Sequence, residues 1–163
     1  MSQNITLIGM AGSGKSTIGR ILSTQLDKVF IDSDKLIEEK LNQSLQQILD
    51  ENGYLKLREI EAEVIQNIDM ENVVLATGGS AAYSQKAMEW LSKQSKIIYL
   101  HAPLSVIYQR VSNFGSRGLA KHPDQSIEDA FQERLSLYEQ FAHIRIENTS
   151  STEQCIQEIV NKL

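Results

Sequence analysis

Short apolar runs alternate along this chain with longer segments in which apolar residues return every three or four positions. Ile5-Thr6-Leu7-Ile8, Val29-Phe30-Ile31, Val73-Val74-Leu75-Ala76, Ile97-Ile98-Tyr99-Leu100 and Ile144-Arg145-Ile146 are short and rich in β-branched residues. That pattern predicts strands buried on both faces. Ile18, Ile21, Leu22 and Leu26 form an apolar stripe at helical spacing; Ile60, Val64, Ile65 and Ile68 form a second, and Ile156, Ile159, Val160 and Leu163 a third. Strands alternating with helices imply right-handed crossovers and a parallel sheet covered on both sides. The expectation is a three-layer α/β fold with a five-stranded parallel sheet, as one domain over residues 1–163. Asn113 to Asp124 stands apart, with Gly115, Gly118, Pro123 and few large apolar residues. It exceeds the usual connection of about 2–6 residues in such folds, which predicts a mobile lid at about 113–124.

Composition narrows the class. The 163 residues are 41% hydrophobic and 23% charged, too apolar for a disordered chain. Sixteen Lys and Arg against 21 Asp and Glu leave a net charge of −5. That balance argues against a general nucleic-acid or membrane-surface binder, which relies on many basic contacts. Cys155 is the one cysteine, so neither a disulfide framework nor a cysteine zinc site is expected. No apolar run approaches the roughly 20 residues needed to span a bilayer, and Met-Ser-Gln-Asn opens no leader pattern. A cytoplasmic protein, acting as a monomer on small molecules, is the expectation.

Directly after the first apolar run comes Gly9-Met10-Ala11-Gly12-Ser13-Gly14-Lys15-Ser16-Thr17, followed by the first helical stripe. This is G-x-x-x-x-G-K-S between a strand and a helix, the context a phosphate-binding loop requires. Gly12, Ser13, Gly14, Lys15, Ser16 and Thr17 would surround the phosphates of ATP. Backbone N–H groups and the helix N-terminus cradle them, Lys15 reaches the β and γ oxygens, and the Ser16 hydroxyl ligates Mg²⁺.

Asp32-Ser33-Asp34 follows the second strand, where two carboxylates would border the ligand crevice. The run Val73–Ala76 ends without an acid, so Asp32 is the candidate for the metal's surroundings. Asp34 would accept or orient a substrate hydroxyl, or alternatively cap the helix containing Ile37 and Leu41. Further along come Arg58, Gly78-Gly79, Arg110, Arg117 and Arg134. Arginine offers a planar fork matched to carboxylate or phosphate. Arg58 also has a local alternative, an ion pair with Glu61 on one helix face.

Taken together in order and spacing, these signatures resemble the shikimate kinases over nearly the full chain. They comprise the P-loop, Phe30-Ile31-Asp32-Ser33-Asp34, Arg58-x-x-Glu61, Gly78-Gly79, Ile98-Tyr99-Leu100 with Arg110, then Arg117, and Arg134-x-x-x-Tyr138-x-x-x-Ala142. The resemblance implies the nucleoside-monophosphate-kinase type of P-loop fold and ATP-dependent phosphorylation of the 3-hydroxyl of shikimate. It implies that Asp34 holds or deprotonates the acceptor hydroxyl. Arg58 and Arg134 would clamp the substrate carboxylate, with Gly78 and the Gly79 N–H alongside. Arg110 would lie near the adenine and Arg117 near the phosphates. The chain departs from the family pattern at four places. Ser80 replaces a third glycine, Leu57 a phenylalanine, and Arg117-Gly118-Leu119-Ala120 an Arg-Pro-Leu-Leu lid. No arginine falls within Asn148 to Gln154. A same-fold kinase for another small hydroxylated acid, or a nucleotide-binding relative without turnover, remains an alternative at this point. Glycine in place of proline predicts a looser lid, and Gly118→Pro would tighten ligand binding if φ there were near −65°.

Overall fold

The computed structural model describes residues 3–163; positions 1 and 2 of the expected domain lie outside the described residues. Five strands, β1 (Asn4–Ile8), β2 (Val29–Asp32), β3 (Val73–Ala76), β4 (Ser95–His101) and β5 (Ile144–Glu147), coincide with the five apolar runs. They form one parallel sheet in the order β2-β3-β1-β4-β5. Eight α-helices flank it: α1 (Lys15–Gln25), α2 (Ser33–Leu41), α3 (Leu45–Asn52), α4 (Tyr54–Gln66), α5 (Gln85–Gln94), α6 (Leu104–Arg110), α7 (Ile127–Phe141) and α8 (Thr152–Lys162).

Side chains alternate across each strand, so the sheet carries two cores. Ile5, Leu7, Val74, Ile98 and Ile146 pack against Ile18 and Leu22 of α1 and Ile156 and Ile159 of α8. On the opposite face Ile8, Val73, Leu75, Ile97 and Tyr99 meet Ile65, Met88, Leu91 and Tyr138. Ile21, counted in the first stripe, is 43% exposed. At about 100° per residue it lies at the edge of the arc that Ile18 and Leu22 centre on the sheet. A smaller cluster stands beside the sheet, where Ile37, Ile48, Leu57 and Val64 gather from α2, α3 and α4.

Register decides what this frame can do. Asp32 pairs with Ala76, and Leu7 also pairs with Ala76, so the C-terminal ends of β2, β3 and β1 finish level. Because β3 and β4 lie on opposite sides of β1, the strand order reverses at the central strand, where open α/β sheets bind ligands. The loops after β1, β2 and β3 therefore open into one crevice.

Candidate active site

The P-loop wraps from the end of β1 to the start of α1. Gly14, the residue before the helix, has φ +98°, and a Cβ there would run into the Asn148 amide. Only glycine fits such a position without strain. Lys15 is 8% exposed and its Nζ donates to the Gly9 carbonyl at 2.7 Å and the Met10 carbonyl at 3.0 Å. Burial pulls its pKa down to about 8, against the opposing pull of Asp34, Asp32 and Glu61.

Ser16 donates its hydroxyl proton to Asp32 Oδ2 at 2.7 Å. Asp32 Oδ1 meanwhile accepts from the N–H groups of Asp34 and Lys35. Asp32, not Asp34, thus caps α2, because the strand leaves it in extended conformation one residue before the helix. Asp34 falls in the first helical turn, and its carboxylate is released to face the cleft.

That cleft encloses about 670 Å³ and is lined by Gly12, Gly14, Lys15, Ser16, Thr17, Asp32, Asp34, Gly79, Arg110, Arg117 and Arg134. Ser13 is fully buried and does not line the cleft, and its hydroxyl has no hydrogen-bond partner among the described residues. Burial first, and Asp32 second, push the Asp34 carboxyl up to about 6. Glu61 is 3% exposed; burial and then Asp34 raise its pKa as well. The two carboxylates approach each other across Gly78, where a Cβ would strike both Asp34 Oδ1 and Glu61 Oε1. The Gly78 N–H is taken by Ser33 Oγ at 3.0 Å, so this glycine serves by having no side chain.

Arg58 and Arg134 come from α4 and α7 and converge on one atom. Nε and Nη2 of Arg58 donate to the Ala120 carbonyl at 3.1 and 3.0 Å, and Nη2 of Arg134 donates to it at 2.8 Å. Arg58 accordingly turns toward the lid and makes no ion pair with Glu61 among the described residues. Arg134 is 1% exposed, and among the described residues its Nε and Nη1 have no hydrogen-bond partner. A Cβ on Gly79 would lie 3.1 Å from that Nη1, and Tyr138 donates its hydroxyl to the Gly79 carbonyl. Burying a guanidinium with unsatisfied donors costs free energy that an acceptor reaching those donors would offset.

The family model described as shikimate kinase matches residues 11–163. The chain belongs to the shikimate kinase family. A shikimate kinase of a Sulfurihydrogenibium species is 36% identical over 163 residues, covering 99% of this chain and 98% of its own. A Francisella tularensis shikimate kinase is 38% identical over 166 residues, covering 99% of this chain and 93% of its own. Among solved structures, a shikimate kinase from Acinetobacter baumannii in complex with shikimate superposes with a TM-score of 0.88 at 31% identity, covering 98% of this chain and 92% of that one.

Each departure from the family pattern has a place in the fold. Ser80 donates its hydroxyl to Glu61 Oε2, leaving Oε1 unpartnered toward Asp34. Leu57, 3% exposed, packs into the α2–α4 cluster. Where the late arginine is missing, Asn148 donates its amide to the Ser13 carbonyl at 2.8 Å, and its own carbonyl accepts from Arg110 Nη2 at 2.6 Å. Asn148 thus braces the P-loop. Sequence reading passed over it because a single asparagine after a strand carries no spacing signal.

The segment expected to form a lid borders the cleft through residues 116–120 and packs onto the α2–α4 cluster through Ala120, which is 3% exposed. Gly118 has φ +68°, and its N–H donates to Gln46 Oε1 at 3.0 Å. A Cβ there would lie 2.7 Å from the Leu45 carbonyl carbon. The condition for a tighter lid with proline, φ near −65°, is not met at this position, since proline cannot reach positive φ and has no N–H to give. Gly118→Pro is expected to weaken acceptor binding and lower the melting temperature, measured by initial rates and thermal denaturation. A tighter KM for the acceptor would contradict this geometry.

Proposed function

We propose that this protein transfers the γ-phosphoryl group of ATP to the 3-hydroxyl of shikimate, as a monomeric cytoplasmic enzyme of one domain spanning residues 1–163. The observation that carries the acceptor is Arg134, buried with two unpartnered donors between the glycine pair and the lid. Such a fork, reinforced by Arg58, suits the carboxylate of a small acid. The shikimate-bound relative, 31% identical, supports shikimate as that acid.

In this reading the N–H groups from Gly12 to Thr17 hold the phosphates, with Lys15 on the β and γ oxygens. Arg117 extends from the lid, near enough for its charge to act on Lys15 and Asp34. Arg110 and Asn148 support the loop toward the nucleoside. The Ser16 hydroxyl and Asp32 carboxylate are hard oxygen donors 2.7 Å apart, a set suited to Mg²⁺. When bound there with ATP, the ion would neutralise phosphate charge. Asp34 takes the proton of the attacking hydroxyl. A bond forms between that oxygen and the γ-phosphorus, the bond to the β-γ bridging oxygen breaks, and ADP leaves. With the lid shut, water is kept from the phosphoryl group. Before it shuts, the segment at 113–124 is open and mobile.

Coupled ADP release should depend on shikimate. ADP formed equally well without it, or faster with gluconate in its place, would overturn the assignment. The pH dependence has a definite sign. Asp34 accepts a proton only when ionised, and its pKa is raised to about 6. The kcat/KM for shikimate should therefore fall as pH drops through about 6, with the limb belonging to the Asp34–Glu61 pair. Asp34→Asn is expected to lower kcat by about 10²–10⁴-fold and to abolish that limb. Retention of the same limb in Asp34→Asn would show that another group is the base.

A further inference from the structure

We propose that Tyr83 is a positioning residue for the acceptor, its ring holding the guanidinium groups of Arg58 and Arg134 as one carboxylate-binding pair. This rests on the acceptor site described under the proposed function and adds the element that organises it. Tyr83 ends the short 3₁₀ turn Ala81–Tyr83, directly after the Gly78-Gly79 pair. The Arg58 guanidinium carbon stands 3.5 Å from the centroid of its ring, and that of Arg134 stands 5.4 Å away. A second ring, Tyr54, lies 4.9 Å from the Arg58 guanidinium carbon. The Tyr83 hydroxyl donates to the carboxylate of Glu133, the residue before Arg134 on α7. One side chain therefore touches α4 through Arg58 and α7 through both Glu133 and Arg134.

The physical need is plain. Two cations directed at one carbonyl repel each other, and a long arginine side chain has many rotamers to lose on binding. The negative face of an aromatic ring attracts a guanidinium and favours a stacked, flat orientation. Stacking on Tyr83 offsets part of the repulsion and keeps the Arg58 fork in place before substrate arrives. Binding a carboxylate then requires less ordering, which is how preorganisation raises affinity. Leu57 points into the α2–α4 cluster, so the aromatic contact to Arg58 comes from Tyr83 and Tyr54.

Tyr83 does not border the phosphate loop, and its loss should be felt by one substrate only. Tyr83→Leu keeps apolar bulk without a π face. It is expected to raise the shikimate KM on the order of tenfold, with the KM for ATP and kcat changed less than about threefold. Tyr83→Phe keeps the ring and loses the hydroxyl, and should restore the shikimate KM to within about threefold of the parent. Arg134→Ala, measured in parallel, separates the two levels of the argument. A large rise in shikimate KM in Arg134→Ala with none in Tyr83→Leu overturns the platform and leaves the carboxylate site standing. No rise in either overturns both. Equal rises in the KM for ATP and for shikimate in Tyr83→Leu, or no rescue by phenylalanine, show a general structural role and overturn the proposal.

Discussion

Lys15→Met is expected to lower kcat by at least about a thousandfold while the protein still folds. Lys15 is nearly buried at the base of the cleft, and both carbonyls it holds, those of Gly9 and Met10, belong to the P-loop itself. Those bonds hold the ammonium against the backbone of the loop. Burial disfavours its charge and Asp34, Asp32 and Glu61 favour it. Phosphate oxygens would add to the favourable side, so the charge is worth most when the γ-phosphoryl group is in flight. Methionine fills a similar volume without branching. It removes a buried charge rather than creating one, which is why the melting temperature should move little. Coupled ADP release and thermal denaturation on the same preparation test both halves. Turnover near the parent value would mean that Lys15 does not serve the phosphates.

Removing the Arg134 fork is expected to cost the acceptor and spare the nucleotide. Arg134→Ala should raise the shikimate KM about 10–150-fold, since a hydrogen bond to a charged group contributes roughly 1.5–3 kcal/mol. The KM for ATP should change little. Nη2 of Arg134 donates to the Ala120 carbonyl, and among the described residues its buried Nε and Nη1 have no hydrogen-bond partner. Arg58 still holds Ala120 in the variant, so the lid keeps a donor from α4. Arg134→Lys retains the charge without the fork and should fall between the parent and the alanine variant. Initial rates with each substrate varied in turn decide the matter. Equal losses for ATP and shikimate would mean that Arg134 supports the whole cleft rather than binding the carboxylate.

The sequence by itself determined the five strands, their parallel arrangement and the phosphate loop. Each is written in short-range pattern: β-branched runs for buried strands, a 3.6-residue period for α1, α4 and α8, and glycine spacing around Lys15. It also pointed to Asp34, Arg110, Arg117 and Arg134, which border the cleft, and to Arg58, which lines a neighbouring hollow with Tyr83 and reaches the cleft's edge only through the Ala120 carbonyl. Their roles toward each other were decided elsewhere. Asp32 took the helix cap and freed Asp34 because α2 begins at Ser33, two residues earlier than capping by Asp34 would need. Arg58 left Glu61 for the lid, and Ser80 took its place on that carboxylate. Gly118 proved to be a positive-φ position braced by Gln46, 72 residues away. Asn148 reached Ser13 across 135 residues, and Tyr83 lay against Arg58 from a different element. Periodicity reports which face of an element is buried, and a motif reports a local backbone shape. Neither encodes which side chains meet once crossovers bring β1, β2 and β3 level. That was decided by sheet order, register and the packing of α4 and α7 against the lid.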